Sequence, residues 1–128
     1  MTATPIVLDP DPLKPFRISP GYVVNGIAYL SGHAAINEQG ELVGIGDFDS
    51  QAQATFESLQ RTLRAANSDL SQVIKVTIFL TDMSHFDKIV ALRERWFSEP
   101  YPADTIVEVR RLALPELLIE IEAIATVQ

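Results

Sequence analysis

Apolar and polar positions recur with two different periods along this chain, and each change of period marks an element. In "YVVNGIAYLSG" two β-branched and aromatic runs flank Asn25-Gly26. A type I′ turn needs positive φ at both central residues, which Asn and Gly tolerate, so the stretch predicts a β-hairpin. Its second strand runs from Ile27 to Ser31 and ends at Gly32. "INEQGEL" predicts another turn, with Gly40 at its sharp position. The period then lengthens. In "DSQAQATFESLQRTLRAANSDL", Ala52, Phe56, Leu59, Leu63 and Ala66 follow at spacings of four, three, four and three, which places them on one helix face. Asp49 is the predicted N-cap, and Asn67 suits the left-handed closing position.

"QVIKVTIFLTDM" returns to β-branched residues and predicts a central strand. "SHFDKIVALRERWFSE" predicts a second helix, with Ser84 as N-cap and Phe86, Ile89, Val90, Trp96 and Phe97 on its apolar face. "ADTIVEVRRLAL" and "ELLIEIEAIATVQ" are the last two strands, turning near Pro115. Residues 1–15 contain Pro5, Pro10, Pro12 and Pro15 and read as an extended arm ahead of one domain at 16–128. The order is β-β-α-β-α-β-β. Two amphipathic helices cover one face of such a sheet, which makes the class α+β. In "LLIEIEAIATV", Leu118, Ile119, Ile121, Ile124 and Val127 place apolar side chains on both strand faces. An apolar face left uncovered is normally buried against another subunit, so an oligomer is expected.

Composition acts mainly by exclusion. A chain of 128 residues is most simply one domain, and a net charge of −7 opposes binding to a phosphate backbone. The absence of cysteine removes disulfides, thiolate nucleophiles and zinc–sulfur sites. The opening "MTATPIVLDPDPLKPF" has neither a basic leader nor an apolar signal core, and no run is long enough to span a bilayer. The expectation is a soluble, cytoplasmic protein without nucleic-acid or membrane partners.

Candidate chemistry is concentrated in carboxylates. Asp104, Ile106 and Glu108 share one face of their strand, opposite Thr105, Val107 and Val109; Glu120 and Glu122 likewise share a face. Two readings stand. Either the glutamates are solvated and Asp104 opens a strand after a turn, or the carboxylates form an acid–base pair with pKa values split by proximity. His33 follows "LSG" at a strand end, a favourable place for a site, whereas His85 reads as a surface residue. No metal-ligand spacing, nucleophile elbow or phosphate loop is present, so neither metal nor cofactor is expected.

The segments "AYLSG", "DFDSQAQATFESLQRTLRAANSDLSQVIKVTIFLTDMSHF", "YPADTIVEV" and "IEIEAIA" together resemble the Rid family, the RidA-like reactive intermediate deaminases. The resemblance implies a chorismate-mutase-like fold, a homotrimer whose sheets form a central barrel, and ligand pockets at the subunit interfaces. It also implies cofactor-independent hydrolysis of imines and enamines such as 2-aminoacrylate. In the family motif an arginine after Pro-Ala binds the substrate carboxylate; here that position is Asp104. The family's tyrosine aligns with Ile18, its helix asparagine with Val90, its cysteine with Ile106, and the glutamine after Ser-Gly with His33. Ser31, Gly32, Thr105 and Glu120 are retained, and the resemblance nominates Glu120 to activate water.

The expected site therefore has Glu120, Asp104 and His33 as catalytic groups. Ser31, Gly32, Thr105, Ile18, Val90 and Ile106 are its substrate contacts. Such a pocket is more acidic and more apolar than the family pattern and favours a neutral or cationic imine or enamine over 2-aminoacrylate. The alternative is a non-catalytic small-molecule binder or regulator using the same intersubunit pocket. Ribonuclease activity is disfavoured by the net negative charge.

Overall fold

The computed structural model describes residues 2–128. Its strands are β1 (Thr4–Pro5), β2 (Gly21–Val24), β3 (Ile27–Leu30), β4 (His33–Ala34), β5 (Val73–Leu80), β6 (Ala103–Glu108) and β7 (Ile119–Thr126), and its helices are α1 (Phe48–Ala65) and α2 (Phe86–Trp96). They form one sheet of order β1-β2-β3-β7-β5-β6, with β4 also paired to β7. The predicted hairpin is present, with φ of 52° at Asn25 and 74° at Gly26. Two short strands were not anticipated. One is β1, from the proline-rich arm, which pairs with β2 at the sheet edge, where a missing backbone donor is tolerated. The other is β4, which carries His33.

The last two strands do not pair with each other. β7 lies between β3 and β5, antiparallel to both, while β6 is parallel to β5 on its far side. A parallel neighbour requires a crossover, and α2 provides it. Along β7, Ile119, Ile121, Ala123 and Ala125 face the helices and are buried, as are Val76, Ile78 and Leu80 of β5. All five apolar positions predicted for α1 are buried against them, and each large aliphatic or aromatic side chain so buried stabilises the fold by about 1.5–3 kcal/mol.

Local details correct three expectations. The α1 N-cap is Asp47, whose Oδ1 accepts from Asp49 and Ser50 N–H; Asp49 lies within the first turn. Ser84 caps nothing. It sits in a 3-10 turn (Met83–His85) capped by Asp82, and α2 follows directly. The apolar stripe of α2 is divided: Ile89 and Phe97 are buried and Trp96 stacks on Phe56, but Phe86 and Val90 are exposed.

The sheet face away from the helices carries Tyr22, Tyr29 and Ile124 in one cross-strand row, with Phe79, Val107, Glu120 and Glu122 beyond them. Tyr22 and Tyr29 are exposed. Of the five residues expected to make β7 apolar on both faces, Ile124 is on this open face. Leu118 and Val127 pack against the core instead.

α1 also buries a polar stripe beside its apolar one: Gln51, Thr55, Ser58 and Thr62. The Gln51 amide donates to the carbonyls of Gly44 (3.2 Å) and Glu116 (2.8 Å) and accepts from Leu118 N–H (2.8 Å). Three bonds from one side chain tie α1 to the segment entering β7 and so fix where Glu120 begins.

Candidate functional site

A register shift makes the site. Tyr29 pairs with Ile124, yet His33, four residues later, pairs with Ile121, three residues earlier on β7. One extra residue is therefore accommodated between β3 and β4, as in a β-bulge, and the strand opens at Ser31-Gly32. Ser31 is held there. Its N–H donates to the Pro20 carbonyl (2.9 Å) and its hydroxyl donates to the Ser19 carbonyl, which leaves the Ser31 oxygen able only to accept from a ligand.

Glu120, opposite Ala34 and Phe79, folds its side chain over Gly32. A Cβ at Gly32 would lie 2.6 Å from Glu120 Oε2, so only glycine permits this approach. Burial pushes the Glu120 carboxyl above its ordinary pKa, and the neighbouring Glu122 adds to the effect. A carboxyl so perturbed can both accept and return a proton near neutrality.

His33 is 2% exposed, a deeper placement than a strand-end histidine suggests. Nδ1 lies 2.9 Å from Ser58 Oγ on α1, and Nε2 has no hydrogen-bond partner among the described residues. Desolvation lowers the ring's pKa to about 4, and Arg61 lowers it further. The Pro20 carbonyl opposes this but falls short of hydrogen-bond geometry. The imidazole is neutral at physiological pH and can donate or accept at Nε2 according to its tautomer.

Glu120, Gly32, His33, Ser58 and Ile18 all line one cavity of about 90 Å³. The proline-rich arm supplies part of its wall through Pro12, Leu13 and Phe16, and the segment before β7 supplies Leu114 and Leu117. Ser58 was not anticipated. The signal available was a hydroxyl-bearing residue in register with Gln51, Thr55 and Thr62 beside the apolar stripe.

The remaining candidates gather elsewhere. Asp104 and Ile106 are in register with Val76 and Ile78, so they face the helices, whereas Glu120 is on the open face with β5 between them. Asp104 and Glu120 of one chain therefore cannot share a proton. Both Asp104 oxygens are engaged by Arg93 of α2, whose Nε donates to Oδ2 (2.9 Å) and Nη2 to Oδ1 (3.0 Å). This bidentate fork neutralises the expected acidic charge and was missed because Arg93 reads as a solvated position of α2. Val90 is exposed one turn before Arg93, and Thr105 points to the open face, where Lys75 Nζ donates to its hydroxyl (2.9 Å). His85 is half-buried and stacks on Phe48 at 4.0 Å. No helix of the described residues is long and apolar enough to cross a membrane.

Comparison with known proteins agrees with this architecture. The family model described as Endoribonuclease L-PSP matches residues 9–127. A RutC family protein of Pyrococcus horikoshii is 38% identical over 117 residues, covering 91% of this chain and 90% of its own. A protein of Dermatophagoides farinae named 2-iminobutanoate/2-iminopropanoate deaminase is 29% identical over 121 residues, covering 94% of this chain and 92% of its own. The crystal structure of a Rid-family protein of unknown function from Yersinia pestis superposes with a TM-score of 0.90 at 29% identity, covering 98% of this chain and all of that one. The fold is the α+β, chorismate-mutase-like arrangement with both helices on one sheet face. Motifs, fold and relatives converge: the chain belongs to the Rid family, the group that the Endoribonuclease L-PSP model describes.

Proposed function

We propose that this protein hydrolyses the C=N bond of small imines, and of enamines through their imine tautomers, at the cavity walled by Glu120. The observation that carries the reading is Glu120 itself: a half-buried carboxyl with a raised pKa, held over Gly32 beside a cavity. In the reaction, water oxygen bonds to the imine carbon as Glu120 takes its proton, and the C=N π pair moves to nitrogen. The carbinolamine then loses its C–N bond. Nitrogen leaves as ammonia with the proton returned by Glu120, and the carbon becomes a carbonyl. Water is consumed and no cofactor is required. A positioned general acid–base group contributes about 10²–10⁴-fold. The deaminase name of the Dermatophagoides relative supports this reaction class.

Substrate preference is reset by Asp104. With Arg93 forked onto it, this position presents a neutral ion pair rather than a free guanidinium or a free carboxylate. The account holds that copies of this chain bury their open faces, with Tyr22, Tyr29 and Ile124, against one another as a trimer. That assembly brings the Asp104, Ile106, Val90 and Thr105 edge of one copy toward the Glu120 cavity of the next.

The test is ammonia release from imines generated in situ by an amino-acid oxidase. Wild type should accelerate release, and Glu120→Gln should lose about 10²-fold or more. Turnover unchanged in Glu120→Gln contradicts the mechanism. Binding without turnover for every imine would establish the second reading, a non-catalytic binder, which the closed Asp104–Arg93 pair favours.

A further inference from the structure

The cavity beside Glu120 has a size, and a second polar wall, that the hydrolytic step does not use. Its volume of about 90 Å³ equals the share of about three water molecules in the liquid. An apolar protein cavity that takes up benzene measures about 150 Å³, so a phenyl ring exceeds this space while an isopropyl group fits it. Leu13, Phe16, Ile18, Leu114 and Leu117 make most of the wall apolar. The exception, apart from Glu120, is His33 with Ser58. A buried nitrogen left without a partner costs about 1–3 kcal/mol, and His33 Nε2 is such an atom. A ligand head group that bonds to it removes that cost.

We propose that this cavity receives a compact aliphatic group of about three carbons, with the ligand's polar head held between Glu120 and His33, and that Ser58 is a positioning residue fixing the His33 ring. The hydroxyl of Ser58 can rotate to donate to Nδ1 or accept from it, so Nε2 is available to either an acceptor or a donor on the head group. The enzymatic half of this inference rests on the imine-hydrolysis reading, for which it names substrates with short aliphatic side chains and disfavours aryl ones. Its binding half stands on the cavity alone.

The test uses isobutyramide and benzamide as probes, titrated into the full chain while the His33 ring nitrogens and the Gly32 amide are followed by NMR. Isobutyramide should shift both sets of signals and bind at least tenfold more tightly than benzamide. Ser58→Ala should weaken isobutyramide and move the His33 Nδ1 resonance before any ligand is added. Phe16→Ala, at a half-exposed wall residue, should narrow the gap between the two probes. Equal binding of benzamide, or signals of His33 indifferent to isobutyramide and to Ser58→Ala, would overturn the inference. Isobutyramide binding without turnover of any imine refutes the hydrolysis reading alone. Turnover indifferent to side-chain size, with His33 silent, refutes the pocket alone.

Discussion

Acidification should unfold this protein through His33 before it does so through its carboxylates. The ring's pKa is lowered from 6.5 to about 4 by burial, so the folded chain takes up this proton far less readily than the unfolded chain. The neutral ring's contribution is fully present above the unfolded value and is lost as pH falls from 6.5 toward 4. A shift of this size corresponds to about 3 kcal/mol, nearly all of it expended by pH 4.5. Asp47, Asp69 and Asp82 have lowered pKa values, so their contributions are lost only below their ordinary value of 3.8, outside this window. Glu120 acts in the opposite sense, because protonating a carboxyl whose folded pKa is raised relieves the fold. Urea unfolding of wild type and His33→Gln at pH 7.5 and 4.5 isolates the histidine. Wild type should lose about 2–3 kcal/mol more than His33→Gln over that interval. Equal losses would refute the assignment of a buried, neutral ring.

Three further perturbations follow from the same geometry. Gly32→Ala should leave the urea midpoint nearly unchanged, because the flexible Glu120 side chain can swing aside, yet reduce imine hydrolysis by about 10²-fold through misplacement of the carboxyl; wild-type kcat/KM would contradict the packing argument. Asp47→Ala removes the α1 cap and should cost about 1 kcal/mol in chemical denaturation, whereas Asp49→Ala should cost less. A double-mutant cycle on Arg93→Ala and Asp104→Ala should give a coupling on the order of 1–2 kcal/mol, since the forked pair is only partly exposed; additive losses would mean that the fork contributes nothing.

The parts of the fold legible in the sequence are those governed by local period and local turn chemistry. Asn25-Gly26 and the α1 apolar stripe are of that kind, since each follows from neighbours a few residues apart. β4 was not legible because a two-residue strand has no period; it exists only because β7 offers it a partner. The placement of β7 between β3 and β5 is likewise a long-range choice that alternation within "IEIEAIA" leaves open. At the site, the facing of Glu120 followed from period two, and the resemblance supplied its importance. The burial of His33 could not be read from a loop-like "SGHAA", because the register shift at Ser31-Gly32 turns that side chain toward α1. The neutralisation of Asp104 was hidden for a related reason. Arg93 and Asp104 are eleven residues apart, and only the docking of α2 beside β6 brings them together.

The most direct test of imine hydrolysis at Glu120 is the lifetime of one aliphatic imine formed by an amino-acid oxidase from 2-aminobutyrate. Its disappearance would be followed by competition with a semicarbazide trap. Wild type should shorten that lifetime in proportion to enzyme concentration, and Glu120→Gln should leave it near the uncatalysed value. A lifetime unaffected by wild-type protein, or shortened equally by Glu120→Gln, would contradict the assignment.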